Sequence, residues 1–128
     1  MTPRLLFNAA AIGEMLAGIA LLVAPAYVIH LLLGDGLSQT GASVSRVLGI
    51  GLFSLGIAAW ETVGHETHFA PRVGISTYNL GVAVLLAILG TLGTSSGVLL
   101  WPAVGLHGLI GATMLWVLAG RSRNGAGK

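Results

Sequence analysis

The sequence predicts an all-α protein, a bundle of four transmembrane helices with a short interfacial segment after the first. Three observations carry that expectation. Of the 128 residues, 55% are hydrophobic and only 8% are charged, with a mean hydropathy of +0.90. A soluble domain has about 25% charged residues, so this chain has too few to cover a water-facing surface. Its apolar residues also gather into four runs close to the roughly 20 residues needed to cross a bilayer. Finally, proline, glycine and polar clusters stand between those runs, where helices end. The 20 glycines fit the same picture, because membrane helices use glycine for close packing. Residues 1–128 read as a single integral membrane domain.

The first span covers about residues 5–24, LLFNAAAIGEMLAGIALLVA. Pro3 suits its first turn, where a missing N–H is no loss, and Pro25 ends it by breaking the hydrogen-bond ladder. Arg4 and Ala24-Pro25-Ala26 imitate a cleaved leader. The apolar run is longer than the roughly 7–15 residues of a leader core, however, and Glu14 interrupts it. The segment 25–33, PAYVIHLLL, is too short to cross. It reads as an interfacial turn or a kinked continuation, with Tyr27 and His30 at headgroup level. Gly34-Asp35-Gly36 is a turn by composition.

The second span covers about 43–60. Arg46, Gly49, Phe53, Gly56 and Trp60 recur at alternating spacings of three and four, which places them on one face. Gly49 and Gly56 leave parts of that face thin enough for another backbone to approach. The loop from Glu61 to Pro71 is the most polar stretch. The third span, about 72–93, carries Tyr78 and Asn79 in its first half. After Thr94-Ser95-Ser96-Gly97 the fourth span covers about 98–119, with Trp101-Pro102 at its entrance and His107 inside it. A polar, basic tail occupies 120–128.

Four spans put both termini on one side. Arg4, Arg72, Arg121, Arg123 and Lys128 then share that side, and Arg46 lies towards the other. The positive-inside rule makes the first side cytoplasmic, and the expected location is a bacterial inner membrane. The net charge of +2 and the pI of 9.7 come from six basic residues. Three of these lie in the tail, so they signal topology rather than a nucleic-acid surface. Absence of cysteine excludes disulfides, thiolate chemistry and cysteine-ligated clusters.

The informative residues are the polar ones at depth. At about 1.5 Å per residue, Glu14 lies roughly 14 Å in from the cytoplasmic boundary, Asn79 roughly 10 Å from the same side and His107 roughly 14 Å from the other. In a hydrocarbon core of about 30 Å these three fall near the midplane, with Tyr78 close below. Glu14, Tyr78, Asn79 and His107 are therefore the candidate intramembrane polar cluster. A carboxyl group in low dielectric keeps its proton unless a cation or several donors support its charge, and His107 can supply either kind of support. The cluster has two readings. It is a polar lock that fixes helix pairing, or it is a proton or ligand site, since intramembrane ionisable groups mark function.

Arg46 and Asp35 form a second candidate, an anion site or an ion pair at the outer interface; alternatively Arg46 snorkels to lipid phosphate or faces Glu14. His65-Glu66-Thr67-His68 suggests a metal cluster but lacks the spacing that places two histidines one helical turn apart. His30 and His107 lie at different depths, which argues against a shared haem. No cofactor and no metal is expected.

The segments GEMLAGIALLVAP, RVLGIGLFSLGIAAW, YNLGVAVLLA and LWPAVGLHG together resemble a group of small four-helix bacterial inner-membrane proteins of mostly unknown function, distantly similar to the DoxX-type membrane proteins. The resemblance covers nearly the whole chain. It implies the four-helix fold and the inner-membrane location, but no reaction. The matching positions are Glu14, Pro25, Arg46, Trp60, Tyr78, Asn79, Trp101, Pro102 and His107.

The resulting expectation is a non-enzymatic membrane subunit that self-associates or joins a larger membrane complex in the lipid bilayer, with no nucleic-acid partner. The alternative is a small proton-coupled transporter using Glu14. A membrane enzyme or redox protein is the third possibility.

Overall fold

A computed structural model describes residues 2–60 and 69–125, with side chains described as far as residue 120. The described residues form five helices and no strand: α1 (Pro3–Val23), α2 (Pro25–Leu33), α3 (Gln39–Ala59), α4 (Phe69–Thr91) and α5 (Leu100–Gly125). Four of them, α1, α3, α4 and residues Leu100–Gly120 of α5, are long and apolar enough to cross a membrane. The short α2 follows the first of these. The His65-Glu66-Thr67-His68 stretch and most of its loop lie outside the described residues.

Helix ends follow from local chemistry. Pro3 occupies the first turn of α1, and the helix stops at Val23 because Pro25 has no N–H to continue the ladder. Ala24 takes φ −136° and ψ 56° at the break, and Pro25 starts α2 in turn. Gly34, at φ 87°, closes α2 in the left-handed conformation that glycine adopts without strain, its N–H bonded to the His30 carbonyl. The second span starts at Gln39, earlier than its apolar pattern suggests, because the Ser38 hydroxyl caps it by accepting from the Gly41 N–H at 3.0 Å. The third span also starts early, at Phe69. Pro71 falls in its first turn, where N–H groups have no intrahelical partner. The fourth starts two residues late, at Leu100, because the chain before it is bonded to α2.

The helices pack as two antiparallel pairs, α1 with α3 and α4 with α5. α1–α3 is a glycine seam. A Cβ on Gly18 would stand 2.6 Å from the Gly49 carbonyl oxygen, and one on Gly56 would stand 2.6 Å from the Ala11 carbonyl oxygen. Ala11 and Gly18 on one helix thus oppose Gly56 and Gly49 on the other, each pair spaced by seven residues. Buried Leu21, Ser45, Leu52 and Ala59 complete the seam. In α4–α5, Gly111 receives the Leu80 side chain, and Gly90 lies against Leu100 and Trp101. In lipid such contacts hold through van der Waals fit and close backbone approach, because apolar burial against another helix gains little over lipid tails.

The two pairs join in three places. At the N-terminal end of α1, Leu6, Phe7, Ala10, Ala11, Ala59, Ile75 and Met114 form a closed apolar core. The buried Arg72 guanidinium lies 5.4 Å from the centre of the Phe7 ring there, a cation–π distance. At the opposite end the α4–α5 loop clasps α2. Ser96 and Leu99 donate their N–H groups to the Leu33 and Leu31 carbonyls at 2.9 and 2.8 Å, satisfying acceptors that the end of α2 leaves open. Gly97 lies so close to the Leu31–Leu32 backbone that a Cβ would overlap it. The third junction is polar and lies between these two.

Candidate functional site: a polar chain and a lateral pocket

Helix α1 places Glu14 on the face turned towards α4 and α5, one turn beyond Ala10 of the apolar core. Its side chain is 4% exposed. Asn79, 1% exposed, reaches it from α4, and its Nδ2 donates to Glu14 Oε1 at 3.0 Å. Asn79 Nδ2 also donates to the Ile75 carbonyl one turn back, at 2.9 Å. On the other side Asn79 Oδ1 meets His107 Nδ1 of α5 at 2.8 Å. Three helices, from both pairs, are tied through one carboxamide.

That arrangement fixes more than position. A carbonyl only accepts, so the Ile75 contact identifies which amide atom is nitrogen. The oxygen then faces His107, so His107 Nδ1 must carry the hydrogen and donate. Both hydrogens of the Asn79 amide are used and its oxygen is occupied. In the neutral imidazole, Nε2 is left as an acceptor with no hydrogen-bond partner among the described residues. Glu14 Oε2 likewise has none. The half-buried Tyr78 ring stands edge-on to the imidazole, 6.2 Å between centres at 81°, and limits its tilt.

Beside the chain lies a cavity of about 440 Å³, bounded by α1 and α5 with Asn79 at its back. Glu14, Asn79 and His107 supply its polar wall. The remaining lining is apolar, and no lysine or arginine takes part. Its mouth is rimmed by the exposed residues Ala9, Gly13, Ala17 and Leu106, on the outer surface of two spanning helices. The pocket therefore opens sideways, where lipid would lie. Gly13 has open space where a Cβ would be, so here glycine widens a mouth and does not admit a neighbouring helix.

The sequence-predicted cluster of Glu14, Tyr78, Asn79 and His107 is thus gathered in one place. Arg46 and Asp35 are not joined. Arg46 Nε donates to the Leu22 carbonyl at 3.3 Å, an acceptor near the Pro25 break, and Asp35 is exposed in the α2–α3 turn. Sequence reasoning did not find the mouth. Its signal is the run of small residues Ala9, Gly13 and Ala17 at intervals of four, one helix face that keeps lipid close to Glu14.

Neither protein-family models nor curated proteins nor solved structures give a match to this chain.

Proposed function

We propose that this is a small integral membrane protein that takes a small amphipathic molecule from the bilayer into the lateral pocket and holds it against Glu14. The observation that supports this reading is the burial of a carboxyl group, with one oxygen unpartnered, in the wall of a cavity open towards lipid. A structural lock alone needs no cavity. Apolar walls with a few convergent polar groups are the usual make-up of a small-molecule site, and an intramembrane ionisable group is a functional candidate by default. Proton-coupled transport through Glu14 is one use of such a site. The test is ligand capture. Native mass spectrometry of protein extracted gently from its own membrane should show a bound small molecule in the wild type that is lost in Gly13→Leu, which fills the mouth. Equal occupancy in both proteins refutes the reading.

A second reading, a subunit that self-associates or joins a larger membrane complex, is favoured by a separate feature. A groove of about 480 Å³ runs over Thr77, Gly81, Val84, Leu85 and Ile88 on the outer face of α4, and Gly81 offers open space within it. Cross-linking in membranes from a cysteine placed at Thr77 tests it; a monomer band alone counts against association.

The proposed location is a bacterial inner membrane with both termini cytoplasmic, supported by the bias of basic residues and by the resemblance to small DoxX-like membrane proteins. Reporter fusions at the C-terminus that were active only outside the cytoplasm would reverse the orientation.

A further inference from the structure

The proposed pocket also has a sign. Its lining contains no lysine or arginine, and its only group able to carry a full negative charge is Glu14. The Asn79 amide has both hydrogens committed, one to Glu14 Oε1 and one to Ile75. His107 spends its Nδ1 hydrogen on Asn79. What remains for an occupant is Glu14 Oε2 and, in neutral His107, the Nε2 lone pair. A buried carboxylate with a single hydrogen-bond donor is poorly supported in a low-dielectric site. An occupant bringing positive charge and N–H donors supplies the missing support. With Glu14 ionised and His107 neutral, an anion would meet only acceptors and negative charge.

Resting on the pocket reading above, we propose that the ligand is a lipophilic amine, held as its ammonium ion with one N–H directed to Glu14 Oε2 and its apolar body along Ala9, Gly13, Ala17 and Leu106. Two routes lead to the same complex. An ammonium ion pairs directly with the Glu14 carboxylate. A neutral amine arriving through the bilayer takes the proton of a Glu14 carboxylic acid, so that one O–H bond breaks and one N–H bond forms. No other reactant is needed. The mouth suits the second route, because a neutral amine dissolves in hydrocarbon and a small charged ion does not.

Three probes of one shape test the proposal: 4-phenylbutylamine, 4-phenylbutanol and 4-phenylbutyrate, titrated by saturation-transfer NMR into the protein in lipid nanodiscs, with empty nanodiscs subtracted. The amine should bind the wild type at least about tenfold tighter than the alcohol, and the acid should not register, since charge-assisted hydrogen bonds are roughly twice as strong as neutral ones. Glu14→Gln should weaken the amine about tenfold or more while leaving the alcohol within about threefold, a split that mere structural damage would not give. Both the amine and the alcohol should lose binding in Gly13→Leu. If the alcohol or the acid binds as well as the amine, or if Glu14→Gln leaves the amine unchanged, the charge assignment is wrong while the pocket survives through its Gly13→Leu dependence. If no probe distinguishes the wild type from Gly13→Leu, the pocket reading falls as well. Should Glu14→Gln fail to fold, the ranking of the three probes on the wild type decides alone.

Discussion

The α1–α3 seam and the junction of α1 with α4 and α5 solve the same problem in opposite ways. Both must hold helices together in a solvent as apolar as their own side chains. The first does so by removing side chains, so that Gly18 and Gly49, and Ala11 and Gly56, bring two backbones into contact. The second keeps the helices apart, spans the gap with Glu14, Asn79 and His107, and leaves a cavity beside them. Both seams use the same helix, and each of its two faces carries small residues with a different neighbour. Gly18 is closed over by α3, whereas Gly13 has nothing near it. The comparison teaches that a glycine in a membrane helix is no sign of packing until its neighbour is known.

Substitutions should separate the two plans. The largest effect belongs to Gly49→Leu. Even a Cβ there would stand 2.7 Å from the Gly18 carbonyl oxygen, and neither backbone can yield. Overpacking costs typically 1–3 kcal/mol, occasionally more, and this site should reach about 3 kcal/mol or lose the fold. Unfolding in mixed micelles reads the loss; a near-native midpoint would show that the seam is looser than described.

Next comes Asn79→Leu, which strips Glu14 and His107 of their common partner. Leaving buried polar groups unpaired costs about 1–3 kcal/mol, and the double variant Asn79→Leu/Glu14→Leu should recover part of it. An additive double-variant result would mean that the two residues are not coupled. Glu14→Gln should be milder, within about 1 kcal/mol of the wild type, because the Gln carbonyl can still accept from Asn79. A larger drop in the same unfolding assay would make the carboxyl group a structural necessity. The smallest effect is Gly13→Ala. With open space at the Cβ position, it should stabilise by about 0.5 kcal/mol through helix propensity alone. Destabilisation would reveal a neighbour at the mouth.

Much of the fold was legible in the sequence because hydropathy and proline placement act locally. Pro25 and Gly34 delimit α2 from the residues alone. The spacing of Gly49 and Gly56 announced a thin face, and rise per residue placed Glu14, Asn79 and His107 at one depth. The pairing of helices was less accessible. Helices that are apolar on every side present no amphipathic stripe to tell which face meets which neighbour, so nothing in α1 says that Gly18 meets Gly49 while Glu14 meets Asn79. The clasp between Gly97 and α2 is a long-range fit of two backbones, invisible to composition. The start at Gln39 escaped an apolar count because the cap and first turn, Ser38-Gln39-Thr40, are polar, and the start at Phe69 because Pro71 reads as a break although a first turn tolerates it. The cavity depends on what two helices leave unfilled.

The Asn79 carboxamide has one more consequence. Protons hop along hydroxyls, imidazoles, carboxyls and water because each can gain a proton at one atom and release it at another. An amide nitrogen donates its hydrogen bond without giving the hydrogen up. The line from Glu14 through Asn79 to His107 is continuous as a set of contacts but open as a circuit. Charge placed on the carboxyl group from the pocket has no path to the imidazole through this residue, so an acid and a base share the centre of the bundle without forming a leak across it by that route.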